Sequence, residues 1–161
     1  MLDIKTPIDK IFRMTLGLDL KDNYPDANPA DLVEGEWIMP SPTTPDKFVP
    51  VDTWANVGVA PTVAFQCWLD QKRPDSYAAA MPGTGSGATA VPFGKYVAIT
   101  DKFERANGVT AVIDYAPGTK LTVRNRVLVP ESLHVGAPVH AVVLVQPEGL
   151  TATDTLKFVV L

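Results

Sequence analysis

Phe12-Arg13-Met14-Thr15-Leu16-Gly17-Leu18-Asp19-Leu20 carries an apolar side chain at every even position and a polar one or glycine at every odd position. A strand with one buried face needs that period of two, because successive side chains leave its backbone on opposite sides. The same reading extends along the chain. At Val33–Met39, Glu34 and Glu36 alternate with Val33, Gly35 and Trp37. Phe48–Val51, Thr62–Leu69, Lys95–Thr100, Val109–Tyr115, Lys120–Val123, Val139–Val145 and Thr155–Val160 read as further short strands. Thr62–Leu69 is nearly continuous in apolar residues and is expected to be central in its sheet. No stretch repeats apolar residues at helical spacing over the length of a helix.

The punctuation supports strands. Pro (15) and Gly (11) are spread along the whole chain instead of gathering in one tail, which marks many turns between short elements. Ala106-Asn107-Gly108, Ala116-Pro117-Gly118 and Pro147-Glu148-Gly149 are turn sequences, because Asn and Gly tolerate positive φ and Pro presets its own φ. Lys21–Asp31 reads as an irregular surface loop and Pro40–Pro45 as a stiff connector. Gln71–Pro92, polar and small-residue-rich, reads as a long exposed loop with one helical turn at Tyr77–Met81. The expected fold is all-β: a compact antiparallel barrel or sandwich of about eight or nine short strands with long loops. Residues 1–11 are expected to form an N-terminal arm, and 12–161 a single β-rich domain.

Composition narrows the function. Hydrophobic residues make up 46% and charged residues 20%, which suits a packed core and argues against disorder. The net charge is −4 and no Lys/Arg stripe exists to neutralise phosphates, so no nucleic-acid partner is expected. A single cysteine, Cys67, excludes an intrachain disulfide framework and reads as a small buried hydrophobe. No window approaches ~20 unbroken apolar residues, so no membrane helix is expected. The N-terminal MLDIKTPIDK lacks the apolar run of a signal peptide, and synthesis in the cytoplasm is expected.

No residue set reads as a catalytic, metal or cofactor site. His134 and His140, with Gly136 and Pro138 between them, would lie ~20 Å apart on one extended strand, too far to share a metal. Gly83-Thr84-Gly85-Ser86-Gly87 lacks the Lys-Ser/Thr of a phosphate-binding loop, and Thr84 and Ala88 stand where a nucleophile elbow around Ser86 needs glycines. Asp22, Asp26 and Asp31, with Asn23 and Asn28, lack the central Gly and final Glu of a calcium loop and read as a solvated turn. Trp37, Trp54 and Trp68 fall on different elements and read as core or interface anchors, not as a sugar-stacking platform. The chain is therefore expected to be no enzyme and to hold no cofactor.

The order of several segments carries a resemblance. Val33-Glu34-Gly35-Glu36-Trp37 precedes the proline connector. Pro92-Phe93-Gly94-Lys95-Tyr96 opens a strand, and Gly118-Thr119-Lys120-Leu121-Thr122-Val123 follows. Gly136-Ala137-Pro138-Val139-His140-Ala141-Val142-Val143-Leu144 and the terminal Leu156-Lys157-Phe158-Val159-Val160-Leu161 come last. Over Leu32 to Leu161 this resembles the capsid decoration (cement, or head-stabilising) proteins of tailed bacteriophages. It departs from them at Arg124–Leu133, which is longer and more charged than that family's turn.

The resemblance implies a virion protein on the outer surface of the capsid. Its partners would be the major capsid protein and further copies of itself, a homotrimer before a homodimer, with no nucleic acid or membrane. Met1, Leu2, Ile4, Ile8 and Ile11 on the arm, Pro40, Pro42 and Pro45 in the connector, and Trp54 are then the expected contacts. The arm would become ordered over a neighbouring subunit on assembly. Another virion β module (tail tube, baseplate or fibre) is the alternative, and a small β-barrel hydrolase or carbohydrate-binding domain a more distant one.

Overall fold

The computed structural model describes residues 2–6, 12–15, 35–40, 48–51, 60–66, 68–69 and 89–161. The chain is all-β. Its strands are β1 (Leu2–Ile4), β2 (Phe12–Thr15), β3 (Trp37–Pro40), β4 (Phe48–Pro50), β5 (Phe65–Gln66), β6 (Trp68–Leu69), β7 (Thr89–Phe93), β8 (Val97–Thr100), β9 (Lys120–Arg124), β10 (Val127–Pro130), β11 (Ala141–Val145) and β12 (Leu156–Val160). A six-stranded sheet runs β1-β8-β12-β11-β9-β10, beside three-stranded sheets β2-β7-β6 and β4-β3-β5. Every strand pair is antiparallel. Among the described residues the principal sheet ends in two edge strands and does not close into a barrel, which favours the sandwich of the two expected forms.

Alternation builds the core. Ala98, Leu121, Val123, Leu128, Ala141, Val143, Leu156 and Phe158 share one face of the principal sheet and are buried. The register requires this, since Phe158 sits opposite both Val143 and Ala98, and Ala141 opposite Leu121. A one-residue slip would turn all of them to the other face, so the pattern itself fixes the register. Each large side chain buried here contributes ~1.5–3 kcal/mol. The smaller β4-β3-β5 sheet is joined to the principal one through the β9–β10 turn. Trp37 N–H donates to the Arg126 carbonyl (3.1 Å), and Arg126 N–H donates to the Val51 carbonyl.

Several sequence expectations need correction. Val109–Tyr115 is no strand; Val112–Tyr115 forms a 3-10 turn. The Asp114 carboxylate causes this, accepting hydrogen bonds from Thr110 N–H (2.7 Å) and Ala111 N–H (3.1 Å), which folds the segment back on itself. Arg124–Leu133 holds a strand that the charged sequence concealed. Asn125 and Arg126 both have positive φ (49° and 67°) and make a tight hairpin turn from β9 into β10. The long loop expected to reach Pro92 ends earlier, because Thr89–Phe93 is the middle strand of its sheet.

Thr62–Leu69 is not one strand either. β5 pairs with β3, whereas β6 pairs with β7 in a different sheet. Gln66 anchors the first of these: its amide donates to the Gly35 carbonyl (3.1 Å) and accepts from the Tyr96 hydroxyl (3.2 Å). Leu2–Ile4, expected on a free arm, instead pairs with β8 as an edge strand, and Leu2 packs into the core. Burial of the Leu2 side chain against Tyr96, Ala98 and the rest of that cluster is the physical reason.

Candidate interaction surface

Two short hydrogen-bonded turns flank the β9–β10 hairpin, one before β9 and one after β10. The first, Val112–Tyr115, is anchored by Tyr115, which is fully buried. The Tyr115 ring meets Phe103 edge-on at 5.2 Å, and its hydroxyl donates to the Glu104 carbonyl (2.6 Å). Burial, with the nearby Glu104 charge, pushes the Tyr115 phenol far above its ordinary range, so it stays a neutral donor. The Asp114 hydrogen bonds described above hold its carboxyl below the usual carboxylate range. With Tyr115 pointing in and Asp114 folded onto the backbone, Ile113 is left 66% exposed.

The second turn, Glu131–Leu133, follows β10 directly. Gly136 N–H donates to the Glu131 carboxylate (3.0 Å), His134 N–H to the Glu131 carbonyl (2.8 Å), and Ala137 N–H to the His134 carbonyl (3.0 Å). The Arg124 guanidinium lies 3.2 Å from His134 Nε2. An arginine can only donate, so Nε2 accepts and the ring is neutral. Partial burial and then the Arg124 charge hold the His134 pKa below its ordinary value. This frame presents Leu133 (38% exposed) and Val135 (88% exposed) to solvent.

Leu133 reaches back to the stretch before the first turn: its Cδ1 and Cδ2 lie 3.5 Å from the place a Cβ would occupy on Gly108. Exposed apolar side chains on hydrogen-bonded turns lose little entropy on docking, and charged and polar neighbours such as Glu104, Asn107, Glu131 and His134 suit the rim of a contact. Leu144 and Val145 are a second exposed pair, Leu144 within and Val145 just past a register shift in β11. Beside Val145, a shallow cleft of about 310 Å³ is lined by Ile99, Gln146, Glu148, Asp154 and Lys157 among others.

The sequence-predicted contacts are dispersed. Leu2 is buried, Ile4 packs partly buried against the core, and Pro40 is exposed at the end of β3. Met1, Ile8, Ile11, Pro42, Pro45 and Trp54 lie outside the described residues, as do Cys67, the Asp22–Asp31 cluster and the Gly83–Gly87 run. Trp37 is a core residue, 6.1 Å from the His140 ring. His140 donates from Nε2 to the Pro61 carbonyl (2.9 Å), and burial lowers its pKa. His134 faces Arg124 instead, so the structure gives the two histidines different surroundings. Among the described residues, no group of three or more His, Cys, Asp or Glu could hold a metal.

Sequence reasoning missed Ile113, Leu133 and Val135. Val135 carried a signal: it is β-branched and apolar inside the Gly- and Pro-rich stretch 134–138, with no alternating partner. Ile113 carried none, since it fitted the alternation of an expected strand. Compared with family models, curated proteins and solved structures, the chain matches none.

Proposed function

We propose that the chain is a non-enzymatic capsid decoration protein of the tailed-bacteriophage type. In this reading it binds the outer surface of the major capsid protein lattice as a homo-oligomer, a trimer before a dimer, and stabilises the mature head. It is made in the host cytoplasm and works in the virion. The observation that carries the reading is the set of exposed apolar residues Ile113, Leu133 and Val135, on turns held by the buried Tyr115 in one case and by hydrogen bonds to Glu131 in the other. The order of the Gly-Glu-Trp, Leu-Thr-Val and Pro-Val-His-Ala-Val-Val-Leu segments supports it.

Cementing needs area, not chemistry. One copy covering ~800 Å² on each partner gives a standard-sized contact. Several linked copies raise one another's effective concentration, so modest single contacts become tight cementing. Purified protein added to mature heads that lack it should bind them and raise the temperature at which they release DNA. Heads that neither bind it nor gain heat resistance would refute the proposal. Labelled protein found on tails would favour the alternative virion β module.

A further inference from the structure

We propose that Asn107–Gly108 is a latent deamidation site, and that the Glu104 carboxylate keeps it latent in the folded protein. Asn107 and Gly108 are both exposed. They occupy the corners of a turn closed by Val109 N–H donating to the Ala106 carbonyl (3.0 Å), with φ of 49° and 106°. Two positive φ values mark the mirror-image hairpin turn that Asn-Gly prefers.

The reaction at such a pair is intramolecular. The Gly108 backbone nitrogen attacks Asn107 Cγ, the C–N bond to the side-chain nitrogen breaks, and ammonia leaves with a five-membered succinimide behind. Water then opens either carbonyl of that ring, giving aspartate or isoaspartate. No oxidant or cofactor takes part. Glycine at the second position leaves the attacking nitrogen unshielded, and Gly108 N–H donates no hydrogen bond among the described residues.

The structure opposes the first step. Attack requires the Asn107 carboxamide to swing over the following peptide bond. Instead its Nδ2 donates to Glu104 Oε2 (3.1 Å), which draws the side chain back towards the preceding residues. Glu104 is itself fixed, because its Oε1 accepts from Arg105 N–H (2.9 Å) and Ala106 N–H (2.8 Å). Partial burial raises its pKa, but these hydrogen bonds and the Arg124 charge outweigh burial and leave it lowered, so the acceptor is ionised at neutral pH. On the far side, Leu133 packs against Gly108. Conversion would replace the Asn107 donor with a second carboxylate beside Glu104 and so break this clasp at the edge of the exposed apolar surface.

Folded full-length protein is incubated in mildly alkaline buffer beside the same chain unfolded in guanidinium, and peptide mapping scores aspartate and isoaspartate at position 107. A hydrogen bond to a charged acceptor should slow opening, and hence conversion, by roughly ten- to a hundredfold in the folded protein. Glu104→Ala, with its near-ultraviolet circular dichroism intact, should recover most of that difference. Should Glu104→Ala fail to fold, Glu104→Gln carries the test: its single neutral acceptor cannot serve every donor, so conversion should be faster than in the parent protein. Asn125–Arg126, in a turn of the same hand but followed by arginine, is the internal control and should stay intact. Folded parent protein converting as fast as the unfolded chain would overturn the proposal. A folded Glu104 variant converting no faster than the parent would overturn it equally.

Discussion

The two edges of the principal sheet are held in different ways. At the β10 edge, Phe103 bridges to Leu128, Glu104 N–H donates to the Leu128 carbonyl (2.8 Å), and Leu128 N–H donates to the Lys102 carbonyl (3.1 Å). Phe103 is clasped between the Arg105 guanidinium, 4.0 Å from its ring centre, and the edge-on Tyr115. Arg105 reaches on to the carbonyls of Asp101 (2.8 Å) and Asp154 (3.0 Å), tying two loops together. Among the described residues, the β1 edge has the ladder from Leu2 to Ile4, extended by Lys5 and Thr6 N–H donating to the Val97 carbonyl and by Val97 N–H donating to Thr6 Oγ1 (2.8 Å). One edge is locked by buried aromatic rings and the other by a short strand. Ile113, Leu133 and Val135 are exposed at the locked end, where the proposed contact would lose little entropy on docking.

The largest effect should come from unlocking that end. Phe103→Ala is expected to cost ~3–5 kcal/mol, because it leaves a cavity between Arg105 and Tyr115. Leu2→Ala, at the lighter edge, should cost about 2 kcal/mol, the low end for a buried leucine. Denaturant unfolding checks both, and equal losses would dissolve the distinction between the edges. Hydrogen exchange sharpens it: the β1 ladder should open well before the amides of Glu104 and Leu128.

Acid should act next. His134 and His140 are lowered from 6.5, so below that value the unfolded chain binds more protons and stability declines as the pH falls. Glu104, Asp114 and Asp154 are lowered from 4.5, 3.8 and 3.8, so what they contribute is present above those values and lost as the pH falls through the folded ones. Melting temperature against pH should therefore fall in two stages. His140→Gln should flatten the first, and an unchanged first stage would show that His140 does not titrate with unfolding. The smallest effect on stability belongs to Ile113→Asp and Val135→Asp, expected within about 0.5 kcal/mol of the parent because both residues are exposed. Both should nonetheless weaken binding to heads; parent-like binding by the pair would move the contact elsewhere.

Much of the fold was legible where burial and alternation agree. Ala141 and Val143, and Leu156 and Phe158, announce one buried face and form β11 and β12 close to the expected limits. Legibility failed where a polar side chain redirects the backbone. Asp114 turns an alternating stretch into a 3-10 turn, and the Asn125-Arg126 turn lets a charged segment hold β10. Leu2 was hidden for another reason: the strand that receives it lies about a hundred residues away in sequence, a separation that local patterns do not encode. The exposed surface was the least legible part, because Ile113 and Val135 differ from core residues only in what their neighbours do.

An electron cryomicroscopy map of intact particles tests the central claim most directly. It should show the six-stranded sheet seated on the outside of the icosahedral shell, with the turns at 112–115 and 131–136 against the capsid. A fully assembled shell bearing no copy of this chain, or density for it confined to the tail, would contradict the account.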